Sequence, residues 1–120
     1  GYERLHEDVE GRAIMEMKHA EQLIGRILFL EGMPVVSNLD EIFIGEKVEN
    51  QIEHDLQAEL RAVRLYNEGI RLAVELDDNG TRELLESILK DEESHVDWLE
   101  AQQDLIEQMG LSEYLGGVRE

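Results

Sequence analysis

Two Glu-x-x-His pairs, Glu16 with His19 and Glu92 with His95, put ionisable side chains on helix faces that otherwise read as apolar. Glu59 does the same between Leu56 and Val63. Residues three apart on a helix have Cβ atoms about 5–6 Å apart on one face, so both members of such a pair can reach one centre. A lone carboxylate in an apolar interior costs several kcal/mol, so three on facing helices must take up protons or gather cations. Lys18, Arg61 and Arg64 lie off these stripes. A metal ion meets the requirement more directly, since carboxylate oxygens and neutral imidazoles together suit iron, manganese or zinc. Two pairs from two helices and a carboxylate from a third can hold two metals.

Spacing by itself carries little weight. The chain has 21 Glu, and a third such pair, Glu3 with His6, straddles Leu5 near the start. Each residue taken singly also fits a satisfied polar group in a core. Placement on the stripes distinguishes Glu16, His19, Glu59, Glu92 and His95 as a set.

The elements that must position this set read almost wholly as helix. From Gly1 to about Glu31, Leu5, Val9, Ala13, Glu16, Ala20, Leu23, Ile27 and Leu30 recur every three or four residues, the stripe of an amphipathic helix. Gly32 and Pro34 end it. Residues 33–45 mix turn formers with an apolar run and predict a long crossover. A second helix runs from about Glu46 to Glu75 through Ile52, Leu56, Glu59, Leu60, Val63, Ile70 and Val74. Asp77-Asp78-Asn79-Gly80 breaks it, and Thr81 is the candidate cap of a third. That helix carries Leu85, Ile88, Leu89, Glu92, His95, Val96, Leu99, Gln102 and Ile106 to a stop at Gly110, before a short helix from about Ser112 to Val118. Helices of about 28 residues are roughly 40 Å long and suit an up-and-down bundle in one domain spanning 1–120.

Composition narrows the chemistry. Eleven Lys and Arg against 29 Asp and Glu give a net charge of −18, which disfavours nucleic acid and anionic membranes and favours cations as partners. Most of these carboxylates read as solvated helix faces. Zero cysteines exclude disulfides, thiolate catalysis and Cys-type metal sites, and accord with a cytoplasmic setting. No stretch has the length and apolarity of a membrane span, and no leader is evident.

Several segments resemble bacterioferritin, over the whole length of the chain: EMKHA at Glu16–Ala20, Arg26 to Pro34, Ile44-Gly45-Glu46, DEESHVDWLE at Asp91–Glu100 and the tail from Asp104 to Leu115. The resemblance implies a ferritin-like all-α bundle with a long crossover. It implies di-iron ligation by Glu16, His19, Glu59, Glu92 and His95, with Glu16 and Glu92 bridging and Glu59 terminal beside His95. It also implies Met17 as axial ligand of a b-type haem held between two subunits. By elementary chemistry Met17 is otherwise a core or interface residue, one step around the helix from Glu16. The implied activity is ferroxidation, in which Fe(II) gives electrons to oxygen or peroxide and Fe(III) is stored as mineral inside a homo-oligomeric shell of 24 subunits built from two-fold dimers. The family's first long helix and its Glu would precede Gly1. Three long helices and a short C-terminal one are therefore expected, with the bare stripes covered by another copy, a separate first-helix peptide or a rearranged packing. A non-catalytic helical shell or interaction protein that binds metal weakly is the alternative from another functional class.

Overall fold

The computed structural model describes residues 2–35 and 47–117. Three long helices and a short one follow in order: α1 (Tyr2–Phe29), α2 (Val48–Glu75), α3 (Asn79–Met109) and α4 (Leu111–Gly117). The described residues contain no strand, as the all-α reading expects. None of these helices is long and apolar enough to cross a membrane. Most of the crossover read at 33–45, and the Ile44-Gly45-Glu46 segment, lie outside the described residues. The chain divides into two compact units, Gly1–Leu39 with Ile106–Glu120, and Asp40–Leu105.

The second unit is a helical hairpin. Leu76, Asp77 and Asp78 join α2 to α3, and both helix ends are satisfied within those three residues. Asp77 adopts a left-handed φ of 56°. Its N–H donates to Val74 O and that of Asp78 to Ala73 O, the paired bonds of a Schellman ending. Asp78 then caps α3: Oδ1 accepts the Thr81 N–H at 3.1 Å and Oδ2 accepts the Thr81 hydroxyl at 2.5 Å. The cap is therefore Asp78 and not Thr81. The two residues are hydrogen-bonded to each other, and a carboxylate beside the positive end of the helix is the stronger acceptor.

Three contacts fix the antiparallel register of the hairpin. A Cβ on Gly69 would stand 3.0 Å from Leu85 Cδ1, Glu59 faces His95, and Glu53 accepts from the Gln103 amide. Ile52, Leu56 and Ala73 from α2 and Ile88 and Leu99 from α3 are the buried apolar residues. Ile52, Leu56, Ile88 and Leu99 follow the stripes expected from the sequence, whereas Ala73 is buried where Val74 was expected and Val74 is exposed.

In the first unit the expected stripe is displaced. Leu5 and Leu23 are half-buried as anticipated and Ile24 joins them, but Asp8, Arg12, Met15, His19 and Arg26 also face inward, each one residue before its predicted counterpart. One residue is a turn of about 100° around the axis. Val9, Ala13, Glu16, Ala20, Ile27 and Leu30 are exposed, and so is a second group, Ile14, Met17 and Leu28. Apolar residues occupy more than half of the circumference of α1, so periodicity marks a broad apolar sector without selecting its buried part.

Gly32 also plays a different part from the one expected. The left-handed residue is Glu31, at φ 63°, whose N–H donates to Leu28 O while that of Gly32 donates to Ile27 O at 2.8 Å. A Cβ at Gly32 would lie 3.0 Å from Ile27 Cγ2, so close approach rather than handedness calls for glycine there. Gly110 does end α3 as expected. Its φ of 83° suits glycine, and its carbonyl accepts the Tyr114 N–H at 3.1 Å to start α4.

Tyr114 is the most buried residue of this unit, 1% exposed. Burial, and then the Asp8 carboxylate, push its phenol above the ordinary value of 10.0. The native state thus binds the phenolic proton more tightly than the unfolded chain. The contribution is fully present below 10.0 and is lost as pH rises through the elevated native value. Alkaline ultraviolet titration of the native chain, which has three tyrosines, should show one phenol ionising later than the others, and Tyr114→Phe should remove that late phase.

Candidate metal centre

The candidate metal ligands of the second unit come from the middle of the α2–α3 hairpin. On α3, Glu92 and His95 share one face, one turn beyond Ile88 and one turn before Leu99. Those two apolar residues are each 1% exposed and shield the site above and below. Antiparallel packing brings Glu59 of α2 opposite, with Glu59 Oε1 3.2 Å from His95 Nδ1 and both side chains 12% exposed. Glu92 is 1% exposed. Glu59, Glu92 and His95 each offer a ligand atom, and these atoms lie within 4.8 Å of one another.

Such a cluster is electrostatically demanding. Two carboxylates share a space from which water is largely excluded, where like charges repel far more strongly than in bulk water. A positively charged group between them would offset one of the two. A divalent cation offsets both and leaves the imidazole neutral as a third ligand. Oxygen, oxygen and nitrogen donors form a set of intermediate hardness that fits iron, manganese or zinc. The residues present therefore fit a metal ion.

Two neighbours complete the surroundings. The Trp98 ring lies 6.3 Å from that of His95, tilted by 43°, and forms part of the wall. Asp55, one turn before Glu59 on α2, interacts with the imidazoles of His95 and His54. Burial raises its carboxyl above the usual carboxylate range, and those two imidazoles act in the opposite direction. Sequence reasoning passed over Asp55 because it lies outside both Glu-x-x-His pairs. Its four-residue spacing from Glu59 was the available signal.

Glu16, Met17 and His19 lie on α1, in the first unit. His19 is buried, 4% exposed, as expected of a candidate ligand, on the displaced arc of α1. Glu16 is exposed, contrary to that reading, because the buried arc of α1 falls one residue earlier. Met17 is 64% exposed. His6, of the discounted pair, faces Glu10 at 3.3 Å in a well-solvated contact. By itself the second unit unites three of the five expected ligands.

The ferritin-like domain family matches residues 1–109. The chain is 38% identical to the bacterioferritin of Brucella melitensis over 114 residues, which covers 95% of this chain and 71% of the relative. It is 38% identical to the bacterioferritin of Streptomyces coelicolor over 120 residues, covering 100% of this chain and 72% of the relative. Identity to the bacterial ferritin of Synechocystis is 39% over 116 residues, covering 96% and 74%. With the buried carboxylate and imidazole cluster already in place on the helical hairpin, these similarities establish that the chain belongs to the bacterioferritin family of ferritin-like domains.

Proposed function

We propose that this chain is an iron-storage subunit that takes Fe(II) as substrate, oxidises it and passes Fe(III) to a stored mineral. The observation that carries the reading is the convergence of Glu59, Glu92 and His95 within 4.8 Å at the centre of the hairpin. Glu16 and His19 of α1 are the proposed remaining ligands of a two-iron site. Glu16 and Glu92 would bridge, Glu59 would bind terminally beside His95, and His19 would complete the other iron.

The chemistry follows from charge. Two Fe(II) give up one electron each, and a peroxide that accepts both electrons and two protons leaves as two waters. Carboxylates around the metals stabilise the higher charge of Fe(III) and so favour oxidation, while the imidazoles fix geometry. A net charge of −18 raises the local concentration of cations around the molecule. Met17, 64% exposed on α1, would hold a b-type haem through its thioether sulfur together with the same residue of a second copy, since in a symmetric pair one sequence position supplies both ligands. Assembly into two-fold dimers and a closed shell belongs to the same proposal, as does a cytoplasmic location.

A second reading is that the chain captures metal without rapid turnover. Stopped-flow measurement of Fe(II) oxidation separates the two. Fast oxygen or peroxide consumption by the native chain, abolished in Glu92→Ala and in His95→Ala with helicity retained, supports the ferroxidase; unchanged rates in both variants exclude it. Iron uptake without fast oxidation supports capture alone. Glu92→Gln should raise the stability of the metal-free chain by about 1 kcal/mol or more, because it removes a buried charge at nearly constant volume. Urea denaturation measures that gain, and the same variant should lose oxidation. For Met17, reconstitution with haem tests the assignment: Met17→Leu should lose the absorbance of the axially ligated haem, and a native spectrum in that variant rules it out.

A further inference from the structure

The connection between α2 and α3 carries a reactive pair that the metal centre does not use. Asn79 and Gly80 are the first two residues of α3, and both are exposed. Glycine has no Cβ to shield its amide nitrogen from the side chain of the preceding residue. The backbone ladder of α3 starts with the Arg82 N–H donating to Asp78 O at 3.0 Å, and the Thr81 N–H is held by Asp78 Oδ1. Gly80 N–H lies ahead of both, in the stretch of a helix start that the ladder does not engage. The Asn79 side chain is also activated. Its Oδ1 accepts a hydrogen bond from Arg82 Nε at 3.2 Å, and the guanidinium is steadied by Glu86 at 2.7 Å on Nη1. A cation donating to a carbonyl oxygen draws electron density from the carbon and stabilises negative charge that develops on the oxygen during attack.

We propose that Asn79 is a site of spontaneous deamidation, with the chain's own Gly80 amide as nucleophile. The Gly80 nitrogen forms a bond to Asn79 Cγ and gives up its proton, and the side-chain nitrogen leaves as ammonia. Water then opens the resulting five-membered imide. Opening at Cγ gives aspartate, and opening at the backbone carbonyl gives the isomer in which the chain runs through the side chain. No oxidant, metal or second protein is required.

The two products act differently on the hairpin. Aspartate places a negative charge in the first turn of α3, beside the positive end of the helix and the Arg82 guanidinium, and both favour it. The isomer adds a backbone atom next to Asp78 and shifts that residue out of register with Thr81, which undoes the cap. One reaction thus divides the population into a form with a firmer α3 start and a form with a broken one.

The native chain, incubated at mildly alkaline pH and sampled by peptide mapping with mass detection, tests this directly. Asn50 and Asn67 on α2 serve as internal clocks, because Gln51 and Glu68 follow them. Asn79 should convert several-fold faster than either and yield two chromatographically distinct products of equal mass. Gly80→Ala, which favours the helix, should slow conversion toward the rates of the other two. Conversion of Asn79 no faster than Asn50 and Asn67, or at an unchanged rate in Gly80→Ala, would overturn the proposal.

Discussion

Burial of the Glu92 carboxylate is the constraint around which the hairpin is arranged. A charge so placed must be answered by another charge, a proton or a metal, and the answer has to come from across the helix pair. Glu59 and His95 meet 3.2 Å apart, and Ile88 and Leu99 close the space on either side. Helix register is thereby tied to chemistry. A slip of one residue between α2 and α3 would separate Glu59 from His95 and leave Glu92 with the wrong neighbours. The close approach at Gly69 and the Glu53–Gln103 contact hold the same register away from the site.

Short-range hydrogen bonding supplies the rest of that precision. Because Asp77 and Asp78 end one helix and start the next, the hairpin has no slack at its turn. An Asp in the left-handed conformation is less favourable than glycine, though more easily tolerated than a branched residue. The strain is local. The satisfied carbonyls of α2 and the capped first turn of α3 offset it, and together they aim two long helices at each other.

How much of this could be read in advance depended on how each helix is surrounded. On α3 the residues that periodicity placed inward, Ile88, Glu92, Leu99 and Gln102, are the buried ones, so it located both the buried face and the anomalous carboxylate. On α1 the apolar residues spread around the axis, and the same method placed Glu16 inward when the buried arc runs through Met15 and His19. Which part of a broad apolar sector is covered depends on tertiary packing, and a single sequence carries no record of it. Helix ends showed a similar division. Gly110 was legible because a lone glycine met an otherwise periodic segment. The cap at Asp78 was obscured by four consecutive turn-forming residues, any of which could have served. Asp55 was missed because its interaction with His95 is made across the hairpin, beyond the reach of spacing rules that operate within one helix.

Exposed apolar residues on two sides of α1 carry a consequence for how stability is to be understood. Each large aliphatic side chain left in water forgoes about 1.5–3 kcal/mol that burial would supply. Val9, Ile27 and Leu30 on one side, and Ile14, Met17 and Leu28 on the other, are held in that condition while the hairpin of α2 and α3 has a core of its own. The folding free energy of the first unit is then a property of a solution as much as of a molecule. Any molecule that covered those faces would raise it by the logarithm of its concentration over its dissociation constant.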